Sequence, residues 1–248
     1  MHVIHGVDRL STGIGPVFVV VGVFDGLHLG HAYLLRHLVS EAARHDAVPT
    51  VITFDHHPDE ILLGNAPPLL IDPEERLERL AAAGVEVTVV QHFDDELRRT
   101  TYDAFVERIR ARVPLAGFLM TPDAAFGFER RGTPEALAAM GARDGFDVIV
   151  VAPFDLDGRA VRSTEIRDQI RAGRLPEAAA LLGRPFTLTG TLIDGAMVFP
   201  LPMALPPDGT YLARSRDGET VVAIAGGGVR PADVPGGAGR LTLELPGG

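Results

Sequence analysis

Apolar residues keep one rhythm along this chain up to about residue 185 and another after it. The first long run, Val17-Phe18-Val19-Val20-Val21, is continuous, β-branched and followed by Gly22, the pattern of a strand buried on both faces. Leu35, Leu38, Val39 and Ala42 then recur at i, i+3, i+4 and i+7, which predicts a helix with one apolar face reaching to about Arg44. The segment between them, Gly22-Val23-Phe24-Asp25-Gly26-Leu27-His28-Leu29-Gly30-His31, is therefore a strand-to-helix turn.

The alternation repeats. Apolar runs at 51–54, 85–90, 115–120 and 147–151 predict further strands, and 2–7 a short edge strand. Asp72-Pro73-Glu74-Glu75 opens a helix, with Asp72 as cap, Pro73 at the first helical position and Glu75 completing a capping box; Gly84 ends it. Thr101 caps a helix over 102–112, and Thr133-Pro134-Glu135 opens one reaching about Arg143. Thr121 to Arg131 reads as a loop. This order predicts an α/β fold, a Rossmann-like doubly wound parallel sheet. Two short helices follow, one opening at Ser163-Thr164-Glu165-Ile166-Arg167 and closing at Gly173, the other over 176–182.

At Pro185 the chain turns to Gly, Pro and short β-type runs at 186–193, 210–213, 220–224 and 241–245. These predict a small antiparallel β unit, with Gly226-Gly227-Gly228 and Pro235-Gly236-Gly237 as loops. The expected domains are thus 1–184 and 185–248.

Composition narrows the function. A length of 248 residues with 46% hydrophobic is enough for one large core and a small second one. The net charge of −10 argues against nucleic acid as the main partner, because phosphate contacts dominate such binding. No apolar run approaches a membrane span, and Met1-His2-Val3-Ile4-His5 lacks the basic start of a signal peptide. Cysteine is absent, which removes disulfides and thiol chemistry and fits a cytoplasmic protein. Histidine aside, every basic side chain is Arg. Any grip on phosphate must come from Arg, His, hydroxyls and backbone N–H groups, with no Walker-type or Schiff-base lysine.

The turn supplies such groups. His28 and His31 are three apart, on one side of the first helical turn, where two imidazoles can donate to phosphate oxygens and stabilise charge as a bridging bond breaks. Gly30 leaves room for a phosphate to approach the backbone. Near Ser163 or Thr164 a helix cap turns hydroxyl and N–H groups outward, and Arg167, one turn in, is placed to clamp a phosphate.

On these motifs residues 1 to about 190 resemble the bacterial bifunctional riboflavin kinase/FMN adenylyltransferase family, also called FAD synthetase. The resemblance is carried by Gly22 to His31, by Thr53-Phe54-Asp55 with His57-Pro58, by Asp123 with Phe126-Gly127, by Ser163 to Arg167, and by Leu181-Leu182-Gly183-Arg184-Pro185-Phe186. It implies a nucleotidyltransferase fold, ATP with Mg²⁺, and transfer of AMP to the phosphate of FMN, giving FAD and pyrophosphate. It implies catalytic roles for His28, His31, Ser163, Thr164 and Arg167. Gly22, Val23, Phe24, Asp25, Gly26 and Gly30 would shape the nucleotide crevice, with Asp25 a turn residue rather than a base. Phe54, His57, Pro58, Asp123, Phe126, Gly127 and Arg162 would meet the flavin. No dedicated protein ligand for the metal is expected, since Mg²⁺ would bridge substrate phosphates. The partners expected are small molecules, with no nucleic acid and no membrane.

Four departures stand out. His56 replaces a usual Pro, and Arg162 a usual Ser. Ala124 and Ala125 replace an aromatic and a basic residue before Phe126-Gly127. The kinase motif Gly-x-Pro-Thr-Ala-Asn has become Phe199-Pro200-Leu201-Pro202-Met203-Ala204, without its hydroxyl or amide, although Glu244 remains as an acidic candidate. The expected activity is therefore FMN adenylylation without riboflavin kinase activity. Transfer to another phosphorylated acceptor, and a non-catalytic flavin- or nucleotide-binding module, stay open as alternatives.

Overall fold

The computed structural model describes residues 1–232 and 239–246. The loop predicted at Pro235-Gly236-Gly237 lies outside the described residues. The chain divides into two compact units, the first made of Met1–Phe24, His31–Pro67 and Leu77–Phe154, the second of Asp25–Gly30, Pro68–Arg76 and Asp155–Gly248.

The first unit is built on a six-stranded sheet. Its strands are β1 (His2–His5), β2 (Val17–Val21), β3 (Val48–Phe54), β4 (Val87–Gln91), β5 (Leu115–Met120) and β6 (Asp147–Val150), in the order β1-β4-β3-β2-β5-β6. Every pairing is parallel. The continuous apolar runs are what a sheet covered on both faces needs: Val17, Phe18, Val19, Ile52, Val87, Val89, Phe118 and Leu119 are all buried. From β2 the chain winds outward through β3 and β4, then returns to the other side of β2 for β5 and β6. The reversal leaves a crevice beyond the carboxyl ends of β2 and β5, where such sheets take their ligands.

The helices between these strands are α1 (Leu29–Arg44), α2 (Asp59–Leu63), α3 (Pro73–Ala82), α4 (Asp95–Arg99), α5 (Tyr102–Arg110) and α6 (Pro134–Asp144); α1, α4, α5 and α6 each bury apolar side chains, whereas α2 buries none. Leu35, Leu38 and Ala42 form the buried stripe of α1, as their spacing predicts. Thr133 caps α6 through the Ala136 N–H, whereas Thr101 precedes α5 without a side-chain cap bond. The short α2 and α4 were not predicted; five residues carry no helical period. Pro49 lies inside β3 rather than before it, near the amino end, where β4 has not yet begun to pair.

The second unit contains a small hairpin, β7 (Asp155–Leu156) and β8 (Arg159–Ala160), then α7 (Ser163–Arg171) and α8 (Leu175–Leu182). It ends in an antiparallel barrel of β9 (Phe186–Ile193), β10 (Ala196–Val198), β11 (Gly209–Ser215), β12 (Gly218–Ala225), β13 (Gly228–Pro231) and β14 (Gly239–Leu245). The barrel closes in the order β10-β13-β12-β11-β14-β9, β9 pairing back to β10. The β unit is thus more regular than its sequence suggests: β10 and β13 are short and glycine-flanked, and Gly228 belongs to β13 rather than to a loop. Alternate side chains of β9, β12 and β14, among them Leu188, Val222, Ile224, Leu243 and Leu245, fill the interior.

Asp72 caps α3 as predicted, accepting from the N–H groups of Glu74 and Glu75 at 3.1 Å. Glu75 has a partner that a capping box does not describe. Its buried carboxylate accepts from the hydroxyls of Thr187 at 2.9 Å and Thr189 at 2.6 Å on β9. Arg240 of β14 donates to Asp72 at 2.9 Å and pairs with Glu74. Polar groups on one barrel face are in this way tied to the start of α3.

Candidate active site

A cavity of about 640 Å³ opens at the carboxyl ends of the first unit's strands. Val21, Gly22 and Val23 leave β2 along its wall, Phe54 ends β3, and Phe93 follows β4. The loop after β5 closes the other side with Ala125, Phe126, Gly127, Phe128, Glu129 and Arg130. Phe54 and Phe93 meet edge to face with centroids 5.5 Å apart, and Phe126 packs on Phe105 and Phe118. Such a slot suits a planar aromatic ring, with the cations Arg98 and Arg130 among its lining.

Gly127 is required where it stands. Its φ is +77°, and a Cβ there would sit 2.5 Å from the Tyr102 backbone nitrogen. Glu129 and Arg130 follow with φ of 55° and 56°, unusual for residues with side chains. The loop is held by Phe128 N–H on Thr100 O at 2.8 Å and by the Phe126–Gly132 bridge. Of the residues assigned to the flavin from sequence, Phe54, His57, Pro58, Phe126 and Gly127 line this cavity. Asp123 is exposed beside it: its carboxylate takes the Thr121 hydroxyl at 2.8 Å and its carbonyl the Arg130 guanidinium at 3.2 Å. Arg131 pairs with Glu129 and does not line the cavity. Phe93, Arg98 and Phe128 were missed by sequence reasoning. The position of Phe93 just past a strand end was a usable signal; nothing in the sequence marked Arg98.

His31 lies in the first turn of α1, half-buried, its ring tilted against Phe24 with centroids 5.1 Å apart. Phe24 and Leu27 take φ of 53° and 41°, a left-handed backbone that surrounding contacts must hold against its strain. Thr53 helps from β3, its hydroxyl donating to the Val23 carbonyl at 3.0 Å.

The turn from Asp25 to Gly30 belongs to the second unit. Asp25 is buried, accepts the Leu70 N–H at 2.8 Å and forms an ion pair with Arg167. The Arg167 guanidinium also donates through Nε to the Pro68 carbonyl at 2.8 Å and is 7% exposed. Ser163 donates its hydroxyl to the Asp25 carbonyl at 3.0 Å, and Arg184 reaches the Gly26 carbonyl at 2.8 Å. Arg167 and Ser163, read from sequence as phosphate ligands, thus both brace this turn. The cap of α7 is Arg162, one residue earlier than expected; Arg162 and Thr164 are exposed beside it.

His28 is 5% exposed. Burial, aided by the positive charge of Arg184, pushes its pKa down to about 4. It is a neutral imidazole near pH 7, able to donate one N–H but carrying no charge. A Cβ on Gly30 would stand 3.1 Å from the His28 ring and 3.4 Å from the Val161 carbonyl. The missing side chain therefore makes room for the imidazole.

A family model described as FAD synthetase matches residues 13–165. The bifunctional riboflavin kinase/FMN adenylyltransferase of Haemophilus influenzae is 31% identical over 246 residues, covering 93% of this chain and 80% of that protein. The protein of the same name from Pseudomonas fluorescens is 28% identical over 258 residues, covering 99% and 83%. The one from Escherichia coli K12 is 30% identical over 198 residues, covering 79% and 63%. Among solved structures, a crystal structure described as a macrolide-efflux protein from Streptococcus pneumoniae shares the fold, with a TM-score of 0.81 at 22% identity over 100% of this chain and 90% of that one. With the matched region running from before β2 to the start of α7, this chain belongs to the FAD synthetase family and is a nucleotidyltransferase.

Proposed function

We propose that the chain transfers the adenylyl group of ATP to FMN, releasing pyrophosphate and forming FAD, and that it acts in the cytoplasm. The observation that carries this reading is the cavity beyond β2–β5, whose volume of about 640 Å³ and phenylalanine lining suit a flavin ring. In the reaction an oxygen of the FMN phosphate attacks the α-phosphorus of ATP, and the bond from that phosphorus to the pyrophosphate oxygen breaks. No proton transfer to a strong base is required, so positioning and charge stabilisation carry the rate. His31 and the N-terminus of α1 are our choice for the phosphate-facing donors, with neutral His28 contributing one N–H. Asp25, Ser163 and Arg167 would act by holding the turn, and Thr164 by its exposed hydroxyl.

Mg²⁺ is expected with ATP. Asp25 is engaged by Arg167 and the Leu70 N–H, and the donor group of three found among the described residues includes two imidazoles. Neither is an oxygen cage for Mg²⁺, so no step is assigned to a protein-bound ion.

We assign residues 1–184 to the transferase and 185–248 to a kinase relic. Supporting the relic, the stretch standing at the kinase motif has taken a packing role. Met203 bridges to Leu69, the Leu69 N–H donates to the Pro202 carbonyl at 2.7 Å, and Met203 and Ala204 are buried. The test is purified protein with Mg-ATP and either FMN or riboflavin, measuring FAD, FMN and pyrophosphate. FAD and pyrophosphate in equal amounts from FMN, with no FMN formed from riboflavin, is the expected result. Pyrophosphate release with another phosphorylated acceptor but not FMN would move the reading to that acceptor, which the alanines at 124 and 125 would permit.

A further inference from the structure

The ends of β3 and β4 bring one carboxylate and two imidazoles together. Asp55 follows Phe54, and His92 follows Gln91. The Asp55 N–H donates to the Gln91 carbonyl at 3.2 Å, so neighbouring strands hold both residues in register. Asp55 Oδ1 accepts the N–H groups of His56 at 2.8 Å and Phe93 at 3.3 Å, which fixes the carboxylate. His92 Nδ1 is 2.6 Å from Oδ2, and His56 Nδ1 is 3.4 Å from Oδ1. One ligand atom from each of the three residues lies within 4.8 Å of the others, and the two rings meet edge to face with centroids 6.2 Å apart.

We propose that Asp55, His56 and His92 form a binding site for a divalent transition metal ion of the Zn²⁺ or Ni²⁺ type. The donor set selects the ion: two imidazoles with one carboxylate suit these metals, whereas Mg²⁺ prefers oxygens alone. Tetrahedral bonds of about 2.0–2.2 Å place neighbouring ligand atoms about 3.4 Å apart. The Asp55–His56 separation already has that length. That separation is to Oδ1, whereas His92 Nδ1 lies against Oδ2, so His92 must give up this hydrogen bond and swing toward Oδ1, its proton passing to solvent as the ion enters. His92 can make this move because its side chain is 63% exposed. Three protein ligands leave one position for water or an anionic oxygen. The ion would staple two strand ends whose next neighbours, Phe54, His57 and Phe93, line the cavity.

The test is calorimetric titration of the full chain with ZnCl₂, repeated with NiCl₂. One site per chain is expected, with His92→Ala and His56→Ala each weakening it by roughly tenfold or more. His2→Ala, on exposed β1, should leave it unchanged. Thermal melts of each variant without metal would show that the fold is intact, as the exposure of His92 implies. No Zn²⁺ or Ni²⁺ binding by the parent protein, or binding undiminished in both the His56 and His92 variants, would overturn the proposal.

Discussion

Removing Arg167 tests what holds the turn. Its guanidinium pairs with Asp25 and donates to the Pro68 carbonyl, with side chains 8% and 3% exposed for Arg167 and Asp25. Arg167→Ala leaves the Asp25 carboxylate buried without its counter-ion. Breaking a buried pair from one side costs about 3–5 kcal/mol, far more than the pair's net worth, because the remaining charge has been taken out of water. The melting midpoint should fall on the order of 10 °C or more. Replacing both partners, as Asp25→Asn with Arg167→Met, should recover most of that loss, since no charge is then stranded. Urea unfolding followed by circular dichroism measures all three variants at one pH. If Arg167→Ala costs less than about 1 kcal/mol, as a surface pair would, the pair does not brace the turn. Arg167 would then be better understood as a ligand for phosphate.

Three further outcomes are expected. His28 gives a pH signature: its pKa is about 4 in the fold, against about 6.5 unfolded, so its contribution is complete above pH 6.5 and is lost as pH falls toward 4, by roughly 3 kcal/mol. His28→Gln should flatten that part of the stability–pH curve; an unchanged slope would show that the imidazole titrates normally. His31→Ala should lower turnover by roughly 10²–10³ with the fold intact, and near-normal pyrophosphate release would refute its role as a donor. Arg130→Ala should weaken FMN binding by roughly tenfold while Arg131→Ala does not, because only the first lines the cavity; equal effects in calorimetry would discount the cavity as the flavin site.

Much of the sheet was legible because burial on both faces writes itself as an unbroken apolar run. Val17 to Val21 and Leu115 to Met120 were readable at their true bounds for that reason. The barrel was only partly legible. In β10 and β13 few residues are available, and glycine bends hide the alternation. Local motifs showed which residues gather at the turn but not what they do there. Arg167 and Ser163 looked outward from the sequence of α7 alone, yet their partners at Asp25 lie 142 and 138 residues away. Glu75 was a capping-box residue by spacing, while Thr187 and Thr189 lie 112 and 114 residues on. A linear pattern carries the period of an element; it carries no information on a counter-charge supplied from another part of the chain. Asp55 and His92 met in the same way, through adjacent strands.

The long reach of the turn's contacts also sets an order of events during synthesis. β2 and the helix after it leave the ribosome together, but the charge that neutralises Asp25 emerges 142 residues later, and Arg184 meets the Gly26 carbonyl across 158. Contacts this distant in sequence form late, after the loop entropy of the intervening chain has been overcome. A nascent chain can therefore begin its parallel sheet while the histidine-bearing turn is still open. The turn is braced only once α7 and the residues after α8 have emerged.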